Sequence, residues 1–61
     1  MKALLITSSG DGMRWYADKV GQVVPLLAVE KTEYMSREDA GYVNFVQLAD
    51  AEIVEVSDDR K

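Results

Sequence analysis

Apolar residues occur along the chain in five short segments that turn-forming residues separate. Runs rich in Val, Ile, Leu and aromatic residues, bounded by Gly, Asp and Ser, are typical of β-strands. Ser8-Ser9-Gly10-Asp11-Gly12 is the clearest loop, and Glu38-Asp39-Ala40-Gly41 predicts a tight turn. The pattern predicts strands over 2–7, 22–30, 33–37, 42–47 and 52–56.

Two segments between these strands have room for a single helical turn. Trp15–Lys19 can start a helix, but Gly21 and the β-branched residues after it prevent continuation. Leu48–Ala51 is the second such turn. Pro25 cannot donate to a ladder, so the long second strand bends there or lies at an edge. The pattern therefore predicts an all-β fold, a small five-stranded barrel with a single helical turn before the last strand.

Alternation within the strands indicates which side chains share a sheet face. In the fourth strand, Val43 and Phe45 share one face, and Tyr42 shares the other with Asn44 and Val46. We assign Phe45 to the core together with Tyr16. The third strand places Tyr34 beside polar neighbours. If the third and fourth strands pair through the Glu38–Gly41 turn, Tyr34 and Tyr42 lie near one another on an exposed face.

Such an exposed aromatic face is a candidate binding surface for another protein. Tryptophan next to a loop often contributes strongly to binding. The candidate partner-binding residues are Trp15, Tyr34, Arg37, Tyr42 and Asn44. Two structural alternatives stay open, because the tyrosines can simply stabilise paired strands and Trp15 can cap a core that has few other large residues.

The composition limits what the chain can be. Its 61 residues form at most one small domain, which we expect over 1–56 with a polar tail at 57–61. The absence of Cys and His excludes a disulfide or a zinc site as a source of stability. No apolar run is long enough to span a bilayer, so we expect no membrane association and a cytoplasmic location.

The net charge of −4 argues against a broad phosphate-binding surface. The segment 38–61 carries seven acidic and two basic residues. A nucleic-acid binder that stacks bases on its aromatic residues remains the alternative, and it needs Arg14, Lys19 and Arg37 to form a local basic patch.

Catalytic chemistry has no support in the sequence. The Ser8–Gly12 loop lacks the spacing of a phosphate-binding loop. The adjacent acids at Glu38-Asp39 and Asp58-Asp59 lie in a turn and a tail, where carboxylates normally face water. We therefore expect no enzymatic activity, no cofactor and no metal.

The order of elements resembles that of small uncharacterised bacterial and bacteriophage SH3-like barrel proteins. The matching residues are Trp15-Tyr16, Val20-Gly21 and Asp50-Ala51-Glu52-Ile53-Val54. The resemblance implies an SH3-like barrel between Trp15 and Val56. The Ala-Leu-Tyr-Asp-Tyr type of segment found in signalling SH3 domains is missing, so the resemblance does not imply recognition of proline-rich peptides.

These observations favour a small non-enzymatic protein-interaction module, encoded by a phage or prophage, that binds a bacterial protein through an aromatic and acidic face. In this hypothesis Asp50, Glu52 and Glu55 steer association with a basic partner. Self-association stays open, as does completion of the barrel by an added strand near Pro25.

Overall fold

The chain folds into two small antiparallel sheets, in a computed structural model that describes residues 1–10 and 12–56. Sheet A has the order β2-β1-β6 and sheet B the order β3-β4-β5. The strands are β1 (Lys2–Ile6), β2 (Val23–Pro25), β3 (Ala28–Val29), β4 (Glu33–Arg37), β5 (Val43–Gln47) and β6 (Ala51–Glu55). The 3-10 turns η1 (Ala17–Lys19) and η2 (Leu48–Asp50) precede β2 and β6. The all-β class is therefore confirmed, while Asp11 and the predicted tail at 57–61 lie outside the described residues.

The predicted long strand over 22–30 is divided at Pro25 into two strands that belong to different sheets. β2 ends at Pro25, and β3 begins after Leu26 and Leu27. Pro25 lies opposite Ala3, whose N–H and C=O face β6, so its missing N–H costs no hydrogen bond with β1. Its carbonyl accepts a hydrogen bond from Ser36 Oγ on β4 at 2.7 Å. The chain therefore crosses from sheet A to sheet B here, and hydrogen-bonded ladders between the described strands do not close the two sheets into a barrel.

The core lies between the sheets and is centred on β1. Strand β1 pairs with both β2 and β6, and Leu4 and Ile6 are fully buried. The buried apolar cluster consists of Leu4, Ile6, Tyr16, Val24, Val46 and Ala51. The predicted burial of Tyr16 is confirmed. Because this cluster is small, each of its members carries a large share of the stability of the domain.

The face of sheet B that packs against the core is not the face that the sequence indicated. Tyr34 pairs with Val46, and Ser36 pairs with Asn44, so these side chains share one face. Val46 and Ser36 are fully buried, whereas Phe45 is 40% exposed. The assignment of Phe45 to the core is wrong. A period of two shows which residues share a face but not which face is inward, and the smaller Val46 is the residue that packs against the core.

The turn between β4 and β5 forms as the sequence predicts. Glu38 N donates to Tyr42 O, and Gly41 N donates to Glu38 O, both at 2.8 Å. Gly41 has a φ of 101°, which closes a three-residue hairpin loop that a residue with a Cβ would strain. Arg37 Nη1 donates to Gly41 O at 2.8 Å and braces the loop.

Candidate functional site

Four of the five predicted binding residues lie on β5 or next to it. Trp15 and Asn44 contact the backbone of Phe45, Arg37 pairs with Val43, and Tyr42 immediately precedes the strand. The surface that we call the β5 surface consists of these four residues with Val43 and Phe45, that is, Trp15, Arg37, Tyr42, Val43, Asn44 and Phe45. The fifth predicted residue, Tyr34, lies elsewhere.

Trp15 lies alongside β5 and is half-buried. Its indole Nε1 donates to Phe45 O at 2.8 Å, and its ring meets Tyr16 edge-on with centroids 5.5 Å apart. The same side chain packs against the buried cluster. Trp15 therefore packs against the core, which agrees with the structural alternative, and its role in binding stays a prediction.

Side chains occupy the outward backbone groups of β5. Phe45 N donates to Asn44 Oδ1 at 2.8 Å, and Gln47 N donates to the hydroxyl of Tyr16 at 3.3 Å. The carbonyl oxygen of Phe45 already accepts a hydrogen bond from the indole N–H of Trp15. An edge strand with free backbone groups is a template for pairing with another chain, and these contacts block pairing at Phe45 and at the N–H of Gln47.

The exposed side chains of this surface are large and apolar. Tyr42 is 72% exposed, Val43 48% and Phe45 40%. Val43 and Phe45 share the outer face of sheet B, Tyr42 precedes them on the opposite face, and the buried cluster includes none of the three. An exposed group of aromatic and aliphatic side chains beside a charged rim is typical of protein-binding surfaces.

Tyr34 is separated from Tyr42 by the register of the hairpin. Tyr34 lies opposite Val46 and packs against the core, whereas Tyr42 lies opposite Glu38. Four residues along a strand correspond to about 13 Å. The prediction that Tyr34 and Tyr42 are neighbours is therefore wrong, although the two residues share a sheet face as expected.

The charged rim of the β5 surface comes from the hairpin turn. Lys19 Nζ lies 2.7 Å from Asp39 Oδ2, and this hydrogen bond raises the pKa of Lys19. Glu38 accepts a hydrogen bond from the amide of Asn44. Asp39 is exposed, and Glu38 lies opposite Tyr42 at the start of the turn.

The acids that the sequence hypothesis used for steering lie elsewhere. Asp50 is buried, so it is not part of a charged surface. Glu55 is bound by the α-amino group of Met1 at 2.6 Å and by Lys2 Nζ at 3.2 Å. Neutralising Asp50 would disturb the fold before it changed any encounter with a partner.

The cations of the nucleic-acid alternative are divided between two ends of β5. Lys19 and Arg37 bind groups of the 38–42 turn. Arg14 lies beside Gly10 and near Asp50, which follows the opposite end of β5. The structure therefore does not gather Arg14, Lys19 and Arg37 at one place.

A buried pair of Tyr16 and Asp50, which sequence reasoning missed, fixes the loop that carries Trp15. The hydroxyl of Tyr16 donates to Asp50 Oδ2 at 2.6 Å, and the carbonyl of Asp50 accepts from Thr7 N and Ser8 N. Burial raises the pKa of Tyr16, and the hydrogen bond to Asp50 raises it further. No local sequence pattern connects residues 34 positions apart. The position of Asp50 directly after the short apolar turn was the only signal in the sequence that pointed to this pair.

We expect stability to fall at alkaline pH because of Tyr16. Since the folded pKa of Tyr16 exceeds its unfolded value near 10, its contribution is complete below about pH 10 and is lost as the pH rises through the folded pKa. Urea unfolding between about pH 8 and 11 should show a steeper decline for the natural protein than for Tyr16→Phe. Parallel declines would contradict this assignment.

Other surfaces offer less to a ligand. A groove of about 280 Å³ on sheet A is lined by Met1, Ala3, Val23, Val24, Pro25 and Val56. Its apolar lining gives no polar group to orient a small molecule. Among residues 1–10 and 12–56, no three acidic side chains are grouped to hold a metal ion. No helix in the same ranges has the length and hydrophobicity to cross a membrane.

Comparison with protein-family models, curated protein sequences and solved structures found no match to this chain.

Proposed function

We propose that the protein is a small non-enzymatic interaction module that binds another protein through the β5 surface. The exposed outer-face side chains of Val43 and Phe45 carry this proposal, together with the exposed Tyr42 just before the strand. Large apolar side chains that the core does not use lower the free energy of a complex when a partner covers them. Trp15 and Asn44 hold the strand beneath them in place.

The proposed fold is an SH3-like barrel, of the kind found in small bacterial and phage proteins. The pairing order supports it, because β1 binds β2 and β6 while β3, β4 and β5 form a meander. The bent segment between β2 and β3 runs through both sheets, and a 3-10 turn precedes the last strand. A phage or prophage origin and a cytoplasmic location belong to this proposal through the same resemblance.

The proposed partner is a bacterial protein with an apolar patch beside basic groups. Glu38 lies opposite Tyr42 with the exposed Asp39 following it in the turn, and Arg37 lies opposite Val43 on β4. Acidic groups at the rim of an interface increase the rate of association with a basic partner more than they increase affinity. The apolar side chains supply the affinity in this arrangement.

The test is capture of a partner from nuclease-treated bacterial lysate on the immobilised protein, identified by mass spectrometry. Tyr42→Ser with Phe45→Ser removes the exposed aromatics without touching the buried cluster. Val20→Ser with Val29→Ser is the matched control, because both valines are also exposed. We expect a protein that the first variant loses and the control retains, with at least a tenfold weaker affinity for the first.

Two results would contradict the proposal. Equal retention by both variants would place binding outside the β5 surface. Retention that depends on leaving nucleic acid in the lysate would instead favour the base-stacking alternative. Circular dichroism of each variant confirms that any loss of binding occurs in a folded protein.

A further inference from the structure

The pairing of β4 with β5 determines which backbone groups of β5 point away from the sheet. Glu38 N donates to Tyr42 O at 2.8 Å, so these two residues form a hydrogen-bonded pair. In an antiparallel ladder, such pairs alternate with pairs that exchange no hydrogen bonds. Arg37 and Val43 are the next pair, so the N–H and C=O of Val43 point outward, on the side away from β4.

Side chains already bond the backbone two residues before and two residues after Val43. Towards the turn, Gly41 O accepts a hydrogen bond from Arg37 Nη1 at 2.8 Å. Further along the strand, the N–H and the C=O of Phe45 are both bonded by side chains. Val43 itself is 48% exposed, and no hydrogen bond from residues 1–10 or 12–56 reaches its N–H or C=O. The backbone of β5 is therefore open at Val43, between two occupied positions.

We propose that Val43 exchanges a pair of backbone hydrogen bonds with one residue in an extended segment of the partner protein. This inference rests on the proposed function and specifies how the β5 surface recognises its partner. A free N–H and a free C=O on one residue match the C=O and N–H of an extended chain, which is the basis of strand addition. A helix uses these groups internally, so a helical partner would cover only the side chains of the surface.

Exposed groups around Val43 define the side chains that the segment carries. Val43 and Phe45 lie on the outer face of sheet B and favour an apolar side chain there. In the adjoining turn, the side chain of Asp39 binds Lys19 but remains 89% exposed, which favours a basic residue on that side. The occupied positions on either side limit the backbone pairing to one residue. The segment therefore combines an apolar residue with a nearby Lys or Arg.

Selection from a library of random short peptides displayed on phage tests this mode of recognition. Val43→Pro removes the N–H at the first residue of β5, where proline is tolerated because this group takes no part in the ladder. Val43→Ala is the matched control, since it keeps the N–H and removes more of the apolar side chain than proline does. We expect peptides selected on the natural protein to bind Val43→Pro about tenfold more weakly than Val43→Ala.

Hydrogen exchange measured by NMR tests the same contact without a substitution. In the free protein, the amide of Val43 should exchange faster than the amides of Asn44 and Val46, which point towards β4. A selected peptide should slow the exchange of the Val43 amide by about tenfold or more. Circular dichroism shows whether Val43→Pro and Val43→Ala remain folded.

Three results would overturn the inference. They are a library that yields no binder, binding that Val43→Ala weakens as much as Val43→Pro does, and an exchange rate at Val43 that the peptide leaves unchanged. Tyr42→Ser with Phe45→Ser, the variant of the capture experiment, keeps the Val43 amide. A partner that this variant loses and that Val43→Pro retains would therefore leave the proposed function in place without backbone pairing.

Discussion

Val46→Asp is expected to abolish the cooperative unfolding transition at neutral pH, whereas Phe45→Asp leaves a folded protein. Val46 is fully buried on the inner face of sheet B. An unpaired carboxylate there costs several kcal/mol, comparable with the roughly 3–5 kcal/mol that a core of this size supplies. Phe45 points to the outer face, where a carboxylate keeps its hydration.

The two substitutions introduce the same charge on the same strand at adjacent positions, so they differ mainly in sheet face. Thermal unfolding followed by circular dichroism distinguishes them. Unfolding by Phe45→Asp with tolerance of Val46→Asp would show that the sheet faces are reversed. Similar melting of both variants would show that neither face is buried as described.

Tyr16→Phe is expected to have the second largest effect, a loss of about 1–3 kcal/mol in the free energy of unfolding. The substitution leaves the ring in the core but removes the hydroxyl. Asp50 Oδ2 then loses its 2.6 Å donor, and Gln47 N loses its 3.3 Å acceptor. Each kcal/mol corresponds to about 4–8 °C in Tm for a domain of this length.

Tyr42→Phe is the matched control for that measurement. It removes the same atom from a tyrosine that is 72% exposed, and surface changes of this kind are usually within about 0.5 kcal/mol. Equal effects of the two substitutions in urea unfolding would contradict a structural role for the Tyr16–Asp50 pair.

Much of the local structure could be predicted from the sequence. Alternation and turn residues located β1, β4, β5 and β6 to within about one residue, and Gly41 marked the hairpin loop. These features depend on short-range backbone preferences, which neighbouring residues in the sequence determine. The bend at Pro25 was also visible, although its division of one strand between two sheets was not.

The inward face of sheet B could not be predicted in the same way. One face carries the apolar pair Val43 and Phe45, whereas the other carries the polar Asn44 beside Val46, so burial by residue type favoured the wrong face. The position of Trp15 and Tyr16 beside β5 decides the matter, and that contact joins residues about thirty positions apart. The sequence placed Tyr34 on an exposed face for the same reason. Tyr34 packs against the core because its face of sheet B is the inner one.

The most direct measurement of the central claim is an NMR titration of the isotope-labelled protein with the captured partner. The indole N–H of Trp15, the single tryptophan, is a resolved probe that donates to Phe45 O at the β5 surface. Binding there predicts shifts of this signal and of the amides of Tyr42–Phe45, with unchanged amides in β1. Shifts confined to sheet A, with a constant Trp15 indole signal, would contradict the account.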